Sequence, residues 1–324
     1  MMFVGEDPWH HLGTKLASAP KTAEEAIKAA NLDWLVGLKP VYVWEGEHFY
    51  KIQDRKAVVR LDKWGTEECH PFGVVGNDYR ALQNREAFSF FDPIVETGQV
   101  SYHTAGALGR GERVWVLAKV ETPMLIGGSD KVEKYLLLSN GHDGRTSVQV
   151  RFTPIRVVCH NTLSAALASG TDLMKSYHTS RMHKNLRSAQ EAVKSVLDHY
   201  KKLEDQFEVF ARKPMDSEKT GQYVNSVFPD PKRKSGQSER AYNSAVERNQ
   251  WHRDEGQRLF THGRGNQEAR IKGTLWAAYN GITELVDHHW GYESRAQRLS
   301  WLWFGEEERI KLRAFEEAAR LAKN

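Results

Sequence analysis

From Leu186 onward, apolar residues return every seven positions: Leu186, Val193, Tyr200 and Phe207 fill one seam position, and Ala189, Val196, Leu203 and Phe210 fill the other. Such a repeat predicts a long helix over about 185–212, because only helical winding brings that set to one side. The seam is narrow, and a narrow seam wants another helix against it. Its partner is either the rest of this chain, closing a bundle, or a second copy in a homo-oligomer joined through residues 186–210. Further helices are predicted over about 239–261, 268–290 and 306–322, the middle one with Ile271, Leu275, Ala278, Ile282, Leu285 and His289 on one stripe. Residues 214–238 hold Pro214, Pro229, Pro231, Gly221 and Gly236 and the run Lys232-Arg233-Lys234-Ser235, and read as a linker with a basic tip.

The N-terminal half has a different period. Thr22 with Glu25 is a capping box that starts a short helix over about 23–31. Val41-Tyr42-Val43-Trp44, Phe49-Tyr50-Lys51-Ile52 and Ala57–Leu61 follow as β-rich runs divided by Glu-Gly and Asp-Arg turns, a small antiparallel meander. Asn84–Val95 reads as a helix that Pro93 shortens or kinks. Strands then dominate: Val100–Thr104 and Arg113–Val120 around a mobile glycine hairpin at 105–111, and Val132–Ser139 returning as Thr146–Phe152 through Asn140-Gly141-His142-Asp143-Gly144. A fourth run, Ile155–Cys159, stops at Asn161 or Thr162, either able to cap a helix from about Leu163. The chain is thus expected to be α+β: an antiparallel sheet flanked by helices in residues 1–175, and a helical bundle in 176–324 containing the long heptad helix.

Chemistry is hard to find. The segment Gly106–Gly111 has neither dinucleotide-binding nor Walker spacing and lies between strands, and no H-E-x-x-H, G-x-S-x-G or C-x-x-C occurs. Cys69-His70 and Cys159-His160 could be imagined around zinc, but adjacent residues seldom both turn to one ion. We therefore expect no metal, no cofactor and no catalytic residue; His142, Asp143 and His160 are the loose polar cluster on which an enzyme reading, a nuclease or modifying enzyme, would have to rest. Two cysteines and no long apolar run lead us to expect a cytoplasmic chain that does not span a membrane.

Cations offer more. The net charge of +4 is unevenly placed: Lys and Arg number 20 against 21 acids in residues 1–175, 19 against 13 in 176–272, and 7 against 8 in 273–324. Arg113, Lys119, Arg145, Arg151 and Arg156 punctuate the central strands, and Lys175, Arg181, Lys184 and Arg187 lead into the heptad helix. Trp115 and Tyr177 stand among them, and cations for phosphates with flat rings for bases are what a single-strand binder needs. Nucleic acid, single-stranded DNA in particular, is the expected partner; Trp115 and the strand cations could equally belong to a core and a solvated face.

Thr153-Pro154-Ile155-Arg156-Val157-Val158-Cys159-His160-Asn161-Thr162-Leu163 resembles the phage/plasmid-like proteins grouped as domain of unknown function 932. So do Phe3-Val4-Gly5 with Pro8-Trp9-His10, Gly73-Val74-Val75-Gly76, Ala105–Leu108 with Val114-Trp115, Leu275–Asn280, and Trp303-Phe304-Gly305; His160 departs, standing where that family leads one to expect Asn. The resemblance implies a gene of phages, plasmids or integrated elements and no particular reaction. The order helix, three-stranded meander, helix is similar in outline to phage single-strand annealing proteins, which implies recombination by an oligomer on single-stranded DNA. An accessory protein that blocks a host defence protein remains the third reading.

Overall fold

The structure, a computed structural model, describes residues 1–5, 13–156, 161–162, 172–193, 196–291 and 305–323. The chain divides into two compact units: Met1–Glu121 with Tyr135–Phe152 and Asp172–Val196, and Thr122–Lys134 with Thr153–Thr171 and Leu197–Asn324. The chain passes between them more than once, the last time at 196/197 where a single boundary at 175 was expected, and the far end of one strand hairpin, Thr122–Lys134, belongs to the second unit. No described helix is long and apolar enough to cross a membrane.

The strands of the first unit include β1 (Met2–Val4), β2 (Thr14–Leu16), β3 (Val36–Glu45), β4 (His48–Arg60) and β5 (Gly73–Val75). Its larger sheet continues through β6 (Val100–Leu108), β7 (Arg113–Ile126), β8 (Asp130–Gly141) and β9 (Val148–Phe152). In the second unit β10 (Ile155–Arg156) pairs with Val132 and Glu133 of β8 and with β11 (Asn161–Thr162), while in the first unit β12 (Asp172–Ser176) pairs with β9. Asn161–Thr162 is thus strand, and the helix expected from Leu163 lies outside the described residues. β1 and β2 are parallel, so the sheet is mixed where an antiparallel one was expected. The ladder also runs through Gly106, which pairs with Trp115, and a Cβ there would collide with the Met1 side chain. The turn is left to Gly109 and Gly111, both at positive φ, so Gly106 is no part of a mobile tip.

Pro40 shapes the smaller sheet. It has no N–H for the ladder, and the register jumps there from Pro40↔Lys56 to Val41↔Ile52, so Gln53, Asp54 and Arg55 bulge out of one continuous strand. The expected Asp-Arg turn is therefore a bulge, and the meander is a long two-stranded ribbon with a short third strand: β5 reaches only Lys56, Ala57 and Val58.

Helix α1 (Ala23–Ala29) starts where Thr22 accepts from Glu25 N–H, while the Glu25 carboxylate reaches the N–H of Lys21, one residue before the cap. The helix expected over 84–95 is broken into α2 (Asn84–Phe88), a 3-10 turn and α3 (Asp92–Val95), with Pro93 in the first turn of α3. The heptad segment is described as α4 (Met182–Val193) in the first unit and α5 (Val196–Arg212), which belongs to the second unit from Leu197 onward; 194–195 lie outside the described residues.

The second unit is a helical bundle. Phe207 of α5 meets Trp276 at 4.7 Å and Phe315 at 6.1 Å, and Phe210 meets Tyr279 and Phe315. Tyr200, Leu203, Phe207 and Phe210 are all buried, so this stretch of the seam is covered by the chain itself and is not open to a second copy. The expected linker contains α6 (Ser217–Val227), begun by Asp216 accepting from Lys219 N–H at 2.8 Å and held by buried Tyr223, Val224 and Val227. Helix α7 (Glu239–His262) follows, then α8 (Leu275–Glu284), every residue of which is buried, a π turn at Leu285–His289, and α9 (Glu306–Lys323).

Candidate nucleic-acid interface

The β8–β9 turn is built by one carboxylate. Asp143 Oδ1 accepts from Arg145 N–H at 2.9 Å and Thr146 N–H at 2.7 Å, and Oδ2 accepts from the Thr146 hydroxyl at 2.9 Å. Burial pushes the Asp143 carboxyl up, but those donors and the Arg113 guanidinium outweigh it and hold the group below its ordinary range. Asp143 is thus a turn former. Gly73 of β5 lies against this turn so closely that a Cβ would collide with the Asp143 carbonyl.

His142, beside it, is fully buried between Trp34 and Phe72, its Nε2–H donating to Asn84 Oδ1 at 2.9 Å. Burial, with His178 nearby, lowers its pKa to about 3, so it stays neutral and cannot serve as an exposed base. His160 lies outside the described residues; of the other two members of the polar cluster behind an enzyme reading, Asp143 is taken up by the turn and His142 is enclosed in the core. The sign of the pH effect follows: below about 6.5 the unfolded chain takes up a proton that the folded site refuses. Stability should fall as pH drops from there toward 3. His142→Gln should flatten the acid limb of a plot of Tm against pH in part, leaving the dependence due to His178 and to His252, whose pKa values burial also lowers, that of His252 to about 4.

The turn leaves Arg145 exposed, at the rim of an open cleft of about 520 Å³ in the first unit. Arg55 from the β4 bulge (paired with Asp54 at 2.7 Å), Asn77 and Asp78 from the loop after β5, and Tyr177 after β12 also line it. Tyr177 is 71% exposed. Its position is fixed by the next residue: Arg80 N–H donates to the His178 carbonyl at 2.9 Å, His178 Nδ1 lies 3.2 Å from the Arg80 carbonyl, and the imidazole stacks on Tyr79 at 4.9 Å. Beyond it, Lys175, Arg181, Lys184 and Arg187 are exposed. α4 buries Met182, Leu186, Ala189 and Val193, so Lys184 and Arg187, three apart, share the outward face with Glu191. Asn185 donates to Ser176 Oγ at 2.9 Å and ties that helix to the strand carrying Lys175.

Of the other strand cations, Arg113, Lys119 and Arg151 do not join this group. Arg113 is held by Asp143 at 3.4 Å, and Lys119 is half-buried. Arg151 is buried and donates to Gln149 Oε1. Trp115 is wholly inside the core and cannot meet a base. The reason is common to all: β9 is buried at every position and β7 and β8 at most, so alternation does not deliver one of two faces to solvent. The Arg156 side chain lies outside the described residues. So do Cys159 and His160; among the described residues no three His, Cys, Asp or Glu side chains gather as a metal site.

Sequence reasoning missed Arg55, and it missed the exposure of Tyr42, Trp44, Phe49 and Tyr50 on the β3–β4 ribbon. A family model described as Domain of unknown function (DUF932) matches residues 71–303. The chain belongs to the DUF932 family. No curated protein and no solved structure matches it. Of the cleft of this DUF932 protein, the loop 76–78, Arg145 and Tyr177 lie within the matched span, whereas Arg55 and the ribbon precede it.

Proposed function

We propose that this DUF932 protein binds single-stranded nucleic acid along the face of its first unit that carries the cleft and the 175–187 cations. The observation behind this reading is the meeting of Arg145, Arg55 and a largely exposed Tyr177 at one cleft. Guanidinium groups suit phosphate oxygens, and a flat phenol offers a stacking surface to any base. Lys175, Arg181, Lys184 and Arg187 extend the positive face beyond the cleft. No bound metal or nucleotide is called for, since neutralising phosphates and stacking bases need neither. In the mobile-element setting that the resemblance implies, the task would be holding or annealing strands during recombination.

Anisotropy of a labelled oligonucleotide, titrated with protein as salt is raised, tests it. With Arg55 already paired to Asp54, five phosphate contacts, by Arg145, Lys175, Arg181, Lys184 and Arg187, give a log–log salt slope of about −3.5, at about −0.7 for each. Absence of binding at low salt, or binding indifferent to salt, overturns the proposal.

A further inference from the structure

The outer part of the β3–β4 ribbon is exposed on both faces: Trp44 to 72%, Phe49 to 69%, Tyr50 to 56% and Tyr42 to 51%. A bare two-stranded ribbon is at best marginal in water, and an exposed apolar surface of this kind marks a place where something binds. The two faces differ. Directly opposed residues share a face, and the register sets Trp44 against Phe49 and Tyr42 against Lys51 on one side, with Val43 against Tyr50 and Glu45 against His48 on the other. The first face thus holds three rings and an ammonium group, and no carboxylate.

We infer that this face is a base-stacking platform for unpaired nucleotides, with Trp44, Phe49 and Tyr42 holding bases and Lys51 a phosphate; this rests on the nucleic-acid reading above. The Trp44 and Phe49 rings lie 8° from parallel with centroids 6.3 Å apart, and the Trp44 indole N–H donates to the Gly46 carbonyl, so the platform is set before any ligand arrives. Successive side chains on one face of a strand stand about 6.6 Å apart. That is about twice the 3.4 Å rise between stacked bases, room for one base between the Trp44 pair and Tyr42. A duplex offers only base edges in its grooves, which polar side chains read; of the four side chains on this face only Lys51 and the Tyr42 hydroxyl could do so. The chemistry therefore fits unpaired bases. The same strand that carries Phe49 and Lys51 also supplies Arg55 to the lining of the cleft.

The test compares wild type, Trp44→Phe and Trp44→Ala/Phe49→Ala on an oligo-dT strand and on a duplex of mixed sequence. Oligo-dT is expected to quench the wild-type tryptophan fluorescence, and Trp44→Phe, which keeps a ring at that position, to show that quench reduced. The double variant should bind the single strand at least tenfold more weakly, with its salt slope unchanged, because rings and not phosphate contacts are lost. Wild-type affinity in the double variant, with salt-dependent binding intact, overturns the platform and leaves the cleft reading standing; no binding by wild type overturns both. Should the double variant bind normally and lose a self-association seen by sedimentation, the ribbon is a contact between copies and the platform is refuted.

Discussion

Neutralising Arg145, Lys175, Arg181, Lys184 and Arg187 together, each to Gln, is expected to remove most of the salt-dependent binding of single strands, sparing only the Lys51 contact, while leaving the fold intact. With a slope of about −3.5, the wild-type affinity falls roughly a hundredfold over a fourfold rise in salt. The variant keeps at most the slope of one contact, about −0.7, and its low-salt affinity drops at least as far as the wild type's does over that rise. The loss should be uniform across sequences, since phosphate contacts carry no base information. Unfolding is a poor rival explanation, because all five side chains are exposed and surface substitutions of this kind change stability by about 0.5 kcal/mol or less each. Arg151→Gln is the informative contrast. Its guanidinium is buried against Gln149, so that change should lower Tm and leave the salt slope alone. A quintuple variant that binds like wild type would remove the 175–187 face from the proposal.

The contrast between Arg187 and Arg151 also marks how far the sequence could be read. Cations opposite a heptad seam must point outward, and the seam was explicit, so the exposure of Lys184 and Arg187 followed from Leu186, Ala189 and Val193 being buried. On a strand, period two says which residues share a face but not whether that face is covered. β9 is buried on both sides, a fact set by distant segments, and Arg151 went with it. The ribbon failed in the opposite direction: Tyr42-Val43-Trp44 has the composition of a covered strand. It is bare because β5 is only three residues long and pairs no farther out than Lys56. The heptad repeat likewise predicted buried residues correctly while leaving open that they serve two units, because repeat length says nothing about which partner each turn meets. Asp216 could have revealed α6, as a capping residue ahead of Tyr223, Val224 and Val227 at helical spacing, had Pro214 and Gly221 not pointed to a linker.

The largest stability effect should come from the second unit. Lys311 Nζ of α9 lies 3.0 Å from Asp287 Oδ1 in the π turn, with the two side chains only 2% and 1% exposed. Removing two charges from water is expensive, and the pair is worth keeping only while both members are present. Lys311→Met leaves the Asp287 carboxylate without its ammonium partner in a buried site. The expected cost is about 3–5 kcal/mol by urea denaturation, more than for the loss of an ordinary surface ion pair, at about 0–1 kcal/mol. Lys311→Met with Asp287→Asn should recover part of it, since a neutral amide of similar shape is cheaper to bury than a carboxylate that has lost its ammonium. The double-variant cycle therefore separates loss of attraction from stranding of charge. If Lys311→Met costs under about 1 kcal/mol, water reaches the pair and the interior of the bundle is more open than its packing of Trp276, Tyr279, Phe207 and Phe315 indicates.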